Sequence, residues 1–405
     1  MQAAVPASTD PPAFPFRRDD PLHPAAALRR APDDRRPLRV TLWHGGHAWV
    51  VTGHDQVRAI LADDARFSGR FAQPGLPTVT AARVAVDQDE RAFVGMDNPE
   101  HDRYRRMFTQ EFSVPRIRAL QPRIERIADE LLDAMVAAGP PQDLVQAFAV
   151  GFPALVMSAL IGSPYEDHRF IIECAAARHG LTQTPETARL KARELAAYFR
   201  RLIDAKAARP GDDLVTRILN EHVLPGRLTR DEFAEIGAML LRAGHDTTAN
   251  MIGMGTLLVL RDDRLRARLA GDADAMRPAV DELLRFVSPV QFSPRRVAKV
   301  DVEVGGETVR AGEGLFLSLG AANRDPTVFD RPDRIDPDRE TARHVAFGFG
   351  IHQCLGQTLA RVELQVAFTA ILRRLPSLRL AVPFEQIRFK DDMQIFGVHA
   401  LPVAW

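Results

Sequence analysis

The chain lacks most of the features that announce a function on their own. Only two cysteines occur among its 405 residues, Cys174 and Cys354, far apart and without a second pair. Neither a disulfide framework nor a cysteine-rich zinc module can be built from them. There is no surplus of either charge: 53 Lys and Arg face 53 Asp and Glu. That balance removes the cationic footprint of a general nucleic-acid binder. Long apolar runs are missing too. The best, Met251 to Leu260, lies between Asn250 and Arg261, far short of the roughly 20 residues a bilayer requires. Met1 to about Pro21 is rich in Pro and Ala but has neither the charged n-region nor the apolar h-region of a signal peptide. It reads as an extended leader before a single domain over 22–405. No internal repeat is evident, and no strand, glycine loop and helix follow one another as in dinucleotide or P-loop sites. What is present is 46% hydrophobic residues, enough for a large core. A reduced, cytoplasmic protein is the simplest expectation.

Two β-rich runs, Arg39–Trp43 and Ala48–Thr52, flank His44-Gly-Gly-His47 and predict a hairpin. In Pro122–Val136 the apolar positions Ile124, Ile127, Ala128, Leu131, Leu132 and Met135 recur at spacings of three and four, the stripe of a half-buried helix. Similar periodicity predicts helices around 194–207, from Arg230 through Leu260, over 275–286 and over 355–375. A second β region spans Val300–Val304, Glu307–Val309 and Leu315–Leu319. Between Asn323 and Arg343 the density of Pro, Asp and Arg predicts an ordered but irregular segment. The fold class is mainly α with small β-sheets (α+β).

The most informative segment is Phe347-Gly-Phe-Gly-Ile-His-Gln-Cys-Leu-Gly356, just before the last long helix. Its glycines, Gly348 and Gly356 among them, permit tight turns and close approach to a flat partner. Cys354 falls at a helix start, where unpaired N–H groups and the macrodipole favour a thiolate. Such a thiolate is a nucleophile, a redox centre or a metal ligand; otherwise the residue is an inert buried thiol. A second unusual stretch, Ala243-Gly-His-Asp-Thr-Thr248, sets weak helix formers inside an apolar helix. Local inconsistency of that kind is expected at a functional site. Glu282-Leu-Leu-Arg285 allows an i,i+3 ion pair. His101 and Arg105, four apart, share one helical face after Asn98-Pro99.

The spacing Phe-Gly-x-Gly-x-His-x-Cys-x-Gly resembles the haem-binding loop of the cytochromes P-450, and the resemblance covers nearly the whole chain. It implies haem b as cofactor, with Cys354 as the axial iron ligand donating electron density that favours O–O cleavage. By the same resemblance Phe347 packs near the cysteine, and Gly348, Gly356 and Ala243 approach the haem. His101, Arg105, Arg296 and His352 match propionate-contacting positions; Arg296 is preferred to its neighbour Arg295 for its spacing to Asp301. Asp246 and Thr247 match the acid and alcohol that organise proton delivery to O2. Glu282 and Arg285, with Arg334 as a third basic partner, would brace the cysteine loop. Ala322-Asn-Arg-Asp-Pro326 is a further hallmark with no assignable ligand role.

The implied reaction is insertion of one oxygen atom of O2 into a small hydrophobic or amphipathic molecule, by hydroxylation or epoxidation, in secondary metabolism or xenobiotic oxidation. Oxidative coupling, nitration, nitric oxide reduction and ligand binding without oxygenation are the alternatives on the same scaffold. With the chain ending at Trp405, electrons are expected from a separate ferredoxin and its reductase, docking near Arg103, Arg106, Arg343 and Arg361. The protein is expected to be a monomer. Expected substrate contacts are Met96, Met239, Arg242, Val290, Phe292 and Ile395, with pocket segments also around 67–96 and 174–184. Arg242 stands where the family usually has an apolar residue. It either recognises a carboxylate or other polar acceptor on the substrate, or pairs with Asp246 at i+4 or reaches the surface.

Overall fold

The computed structural model describes residues 10–29, 34–71, 73–176, 183–341 and 343–405. The first part of the expected leader and residues 177–182 of the expected pocket segment fall outside these residues. Along the chain come β1 (Leu38–Thr41), β2 (His47–Val51), α1 (His54–Ala62), β3 (Phe67–Ser68), α2 (Ala81–Asp89), α3 (Glu100–Thr109), α4 (Val114–Ala138), β4 (Gln142–Asp143), α5 (Gly151–Ile161), α6 (His168–Ala176), α7 (Pro185–Ala208) and α8 (Leu214–Ile218). They are followed by α9 (Arg230–Ala243), α10 (Asp246–Arg261), α11 (Asp263–Gly271), α12 (Met276–Val287), β5 (Arg295–Ala298), β6 (Val302–Val304), β7 (Glu307–Val309), β8 (Gly314–Leu317), α13 (Leu319–Ala322), α14 (Gln357–Arg374), β9 (Arg379–Leu380) and β10 (Pro402–Ala404).

The expected hairpin forms, with β1 antiparallel to β2 and Arg39 opposite Trp49. It belongs to a five-stranded sheet of order β1-β2-β8-β5-β3, in which β2 and β8 run parallel. The helices pack into one large apolar core. In α4 the buried stripe is Ile117, Ile124, Ala128, Leu132 and Met135, as its periodicity requires. Helix α5 is buried at every position from Phe152 to Ile161, so it reads as apolar all round and crosses the interior. Residues 248–259 of α10 are buried in the same way. Helix α9 begins with a capping box: the Glu232 amide donates to Thr229 Oγ1 at 3.1 Å and the Thr229 amide to Glu232 Oε2 at 2.7 Å.

The sequence predicts one helix from Arg230 to Leu260, and the structure breaks it. α9 ends at Ala243 and α10 restarts at Asp246, with Gly244 and His245 between. A Cβ on Gly244 would lie 2.4 Å from the Met157 sulfur of α5, so only glycine lets the two helices approach there. Beyond Pro12 the leader is anchored: Ala13 bridges to Thr41, and Phe14 is buried against Phe292 and Phe316. No described helix is long and apolar enough to cross a membrane.

Candidate active site

Cys354 sits in a loop folded back on itself, its amide donating to the Phe347 carbonyl at 2.9 Å. Gly350 has φ +72°, and a Cβ there would sit 2.1 Å from the Leu61 carbonyl oxygen. The left-handed backbone and the close contact with α1 both demand glycine. The Arg361 guanidinium lies 4.6 Å above the Phe347 ring. Cys354 is accessible, yet protein surrounds it closely enough that burial pushes its thiol pKa up, against the Gly356 N–H, Arg105 and Arg361, which pull it down. Burial thus opposes the acidification expected of a thiol near a helix start.

The loop is braced from behind. Glu282 and Arg285 are fully buried and paired through two bonds, of 2.7 and 2.8 Å. Arg285 also donates to the carbonyls of Asn323 (2.7 Å), Pro332 (2.9 Å) and Arg334 (3.1 Å). The third basic partner is not Arg334. Its side chain is exposed and it contributes its carbonyl; Arg339 Nε reaches Glu282 Oε1 at 3.2 Å instead. In this irregular segment, turns and not sequence distance decide which cation faces inward. The 322–326 hallmark acquires a role as well. Asn323 Oδ1 accepts from the Val345 amide (2.8 Å) and its Nδ2 donates to Ser288 Oγ (2.7 Å), while Asp325 caps α1 at the His54 amide (3.0 Å). The hallmark ties α1, α12 and the entry to the cysteine loop together.

Around the thiol the structure gathers four nitrogenous side chains. The His101 and His352 rings are 4.5 Å apart between centroids, and the Nε2 atoms of both are buried without a partner. A Cβ on Gly69 would lie 3.1 Å from Arg296 Nη1 and 3.3 Å from His352 Nε2, which places those two groups side by side and identifies a glycine that no sequence motif flagged. Arg105 donates to the Gln353 carbonyl at 2.5 Å, and electrostatic repulsion links His352 to Arg296, His101 and Arg105. Burial depresses all four pKa values: His101 and Arg105 downward, Arg296 to about 10, His352 far below the imidazole range. The neighbouring Arg295 is ion-paired with Asp87 at 2.8 Å. Among the described residues no carboxylate forms an ion pair with the buried Arg296. The orphaned histidine nitrogens and a buried arginine without an ion pair fit a ligand with two carboxylates, such as the two propionates that haem would bring to a cysteine sulfur able to bind iron.

The helix break forms another wall. Ala243 is accessible, and Asp246 and Thr247 are half-buried; the Thr247 hydroxyl donates to the Ala243 carbonyl at 3.3 Å. Asp246 Oδ1 accepts from Asn250 Nδ2 at 2.8 Å. Glu363 of α14, fully buried, has its pKa raised well above the carboxylate range by burial, with Thr248 opposing.

The expected substrate contacts divide. Met239 and Ile395 are buried, Met96 and Val290 half-buried, and Ile395 bridges to Val290. Phe292 packs elsewhere, its ring 5.8 Å from Phe14 in the cluster beneath the leader, because the leader supplies an aromatic partner on that side of the sheet. Arg242 Nη2 pairs with Glu90 Oε2 at 2.7 Å, and both side chains are buried. That acid lies 152 positions away, beyond any helical spacing rule. Of the expected docking arginines, Arg103, Arg106 and Arg343 are exposed, whereas Arg361 is held by Asp281 at 2.7 Å.

Residues 274–403 match the family model described as Cytochrome P450. Cytochrome P450-SU2 of Streptomyces griseolus is 45% identical over 95% of this chain and 94% of its own length. Pentalenic acid synthase of Streptomyces avermitilis is 44% identical over 98% of each chain. The crystal structure of CYP105P1 in complex with filipin I superposes with a TM-score of 0.90 at 39% identity, covering 98% of this chain and 99% of that one.

Proposed function

The chain belongs to the cytochrome P450 family, and from that premise we propose which of its residues carry the family's reaction and on what class of molecule. It is a haem monooxygenase of the actinobacterial type that oxidises a small organic substrate with O2 and electrons from redox partner proteins. Haem, when bound, would supply the activation of O2. The protein's own residues do the rest. Cys354 presents its sulfur from a loop locked by Gly350, Phe347 and the Glu282–Arg285 brace. His101, Arg105, Arg296 and His352 hold two carboxylates. Thr247, bonded to the Ala243 carbonyl, and Asp246, oriented by Asn250, handle protons at the break between α9 and α10. The ferredoxin-type partner meets an exposed cationic face that includes Arg103, Arg106 and Arg343; the enzyme works as a monomer in the cytoplasm, with residues 22–405 as one unit.

The substrate is a hydrophobic or amphipathic natural product, in keeping with relatives that make pentalenic acid and bind filipin I. Arg242 is no ready anion receptor, since Glu90 already neutralises it.

The observation that carries this reading is the convergence of orphaned donors beside an accessible thiol. Apoprotein reconstituted with haem and with haem dimethyl ester tests it. The diacid should bind at least about 100-fold more tightly, since each unpaired buried charge costs on the order of 1–3 kcal/mol, and Arg296→Gln should narrow the gap. Equal affinity for acid and ester in the wild type would sink the assignment of the four donors.

A further inference from the structure

The C-terminal hairpin closes on α10 at a point the reaction uses. Lys390 Nζ donates to Asn250 Oδ1 at 2.9 Å, and Asn250 Nδ2 donates both to Asp246 Oδ1 and to the Asp246 carbonyl, each at 2.8 Å. An ammonium can only donate. The amide oxygen must therefore face Lys390, and the amide NH2 must face Asp246. The usual ambiguity of an asparagine amide is resolved by chemistry. The approach is enforced by Gly397: a Cβ there would lie 1.9 Å from Asn250 Oδ1, so no larger residue lets the hairpin come this close. Lys390 is fixed in turn by its amide, which donates to the Gly397 carbonyl at 2.9 Å, and by the neighbouring Phe389–Val398 bridge.

Resting on the monooxygenase reading above, we propose that Lys390 is a positioning residue for proton handling: acting through Asn250, it fixes the orientation of the Asp246 carboxylate and holds it ionised. Oδ1 is committed to the Asn250 amide. The electrostatics agree. Burial lowers the Lys390 pKa and Asp246 opposes that lowering, so the two charges sense each other across the amide. Among the described residues Asp246 is the charged group that acts on Lys390, and His399 of the same hairpin feels Lys390 together with Arg388, Asp391 and Asp392.

The same hairpin reaches the substrate side. Its tip carries Ile395, bridged to Val290, and Gln394, which accepts from Arg83 Nη1 at 3.0 Å and donates to Ser293 Oγ at 3.1 Å.

The test uses the reduced, CO-bound holoenzyme without substrate, reading the C–O stretch across pH as a probe of the field near Asp246. Wild type should show a transition that Asp246→Asn abolishes. Losing a nearby cation raises a carboxyl pKa, so Lys390→Gln should move the transition upward by about one pH unit. Lys390→Arg should restore it. In an Asn250→Leu background Lys390→Gln should change nothing further. Identical pH curves in wild type and Lys390→Gln, or a Lys390→Gln effect undiminished by Asn250→Leu, would overturn the proposal. The thiolate-type CO spectrum recorded on the same samples keeps the two readings apart. Its absence in wild type would count against the haem-thiolate assignment, and its presence with unmoved pH curves against Lys390 alone.

Discussion

The floor around Cys354 and the roof formed by α9, α10 and the segments above them are built on different principles. On the floor, the brace of the cysteine loop rests mainly on a local pair and on main chain: Arg285 bonds its acid three residues away and then three carbonyls, and the cysteine amide bonds a carbonyl of its own loop. On the roof, charges meet partners from distant segments. Arg242 finds Glu90, and Asn250 finds Lys390. A floor of this kind is specified by short motifs that serve one cofactor whatever the substrate. A roof of this kind is specified by pairings that a single substitution can redirect.

The difference can be tested by how each region breaks. Glu282→Ala should cost the most, about 3–5 kcal/mol, because it strands a fully buried guanidinium, and it should also lower haem content. Arg339→Ala should cost less, and Arg334→Ala should stay within about 0.5 kcal/mol, as an exposed side chain does. Denaturant unfolding with haem quantitation would rank the three, and equal losses at 334 and 339 would undo the assignment of the brace. On the roof, Arg242→Leu should fall at the low end of the same range, about 3 kcal/mol, with Glu90→Leu in the same chain recovering most of it. Binding of an acidic ligand and of its methyl ester should suffer alike; selective loss of the acid would return Arg242 to the role of substrate receptor. Thr247→Ala or Asp246→Asn should leave folding intact and lower turnover by about 10²-fold, with reducing equivalents diverted to hydrogen peroxide. A turnover rate unchanged in both would remove them from the reaction.

The smallest effect concerns acid. Burial pushes the Asp281 carboxyl up, but His344 and Arg361 outweigh it and hold its pKa below the usual value. A depressed folded pKa contributes stability that is present above the unfolded value and lost as pH falls through the folded one. Arg361→Gln should therefore weaken the protein slightly near neutrality, the deficit vanishing at pH values below the folded pKa. A deficit that grows in acid would reverse the sign.

Much of the floor could be read in advance. The glycines, His352 and Cys354 stand within ten positions, and Glu282 and Arg285 within one helical turn, where spacing implies contact. Arg339 was missed because the choice between it and Arg334 depends on turns in an irregular segment. The helix break was half visible: Gly, Asp and Thr are weak helix formers, but the packing of Gly244 on Met157 is a tertiary fact. Glu90, Asn250, Lys390 and Gly69 carried no local signal. Phe292 was misplaced because its neighbour, Phe14, lies in a leader whose path periodicity cannot give.

The most direct test of the whole account is the spectrum of the reduced, CO-bound protein. Wild type should show a Soret band shifted well to the red, the mark of thiolate ligation, and Cys354→Ala should lose it. A wild-type band at the position given by nitrogen ligands, or a red-shifted band surviving in Cys354→Ala, would contradict the central claim that this chain is organised around the Cys354 thiolate.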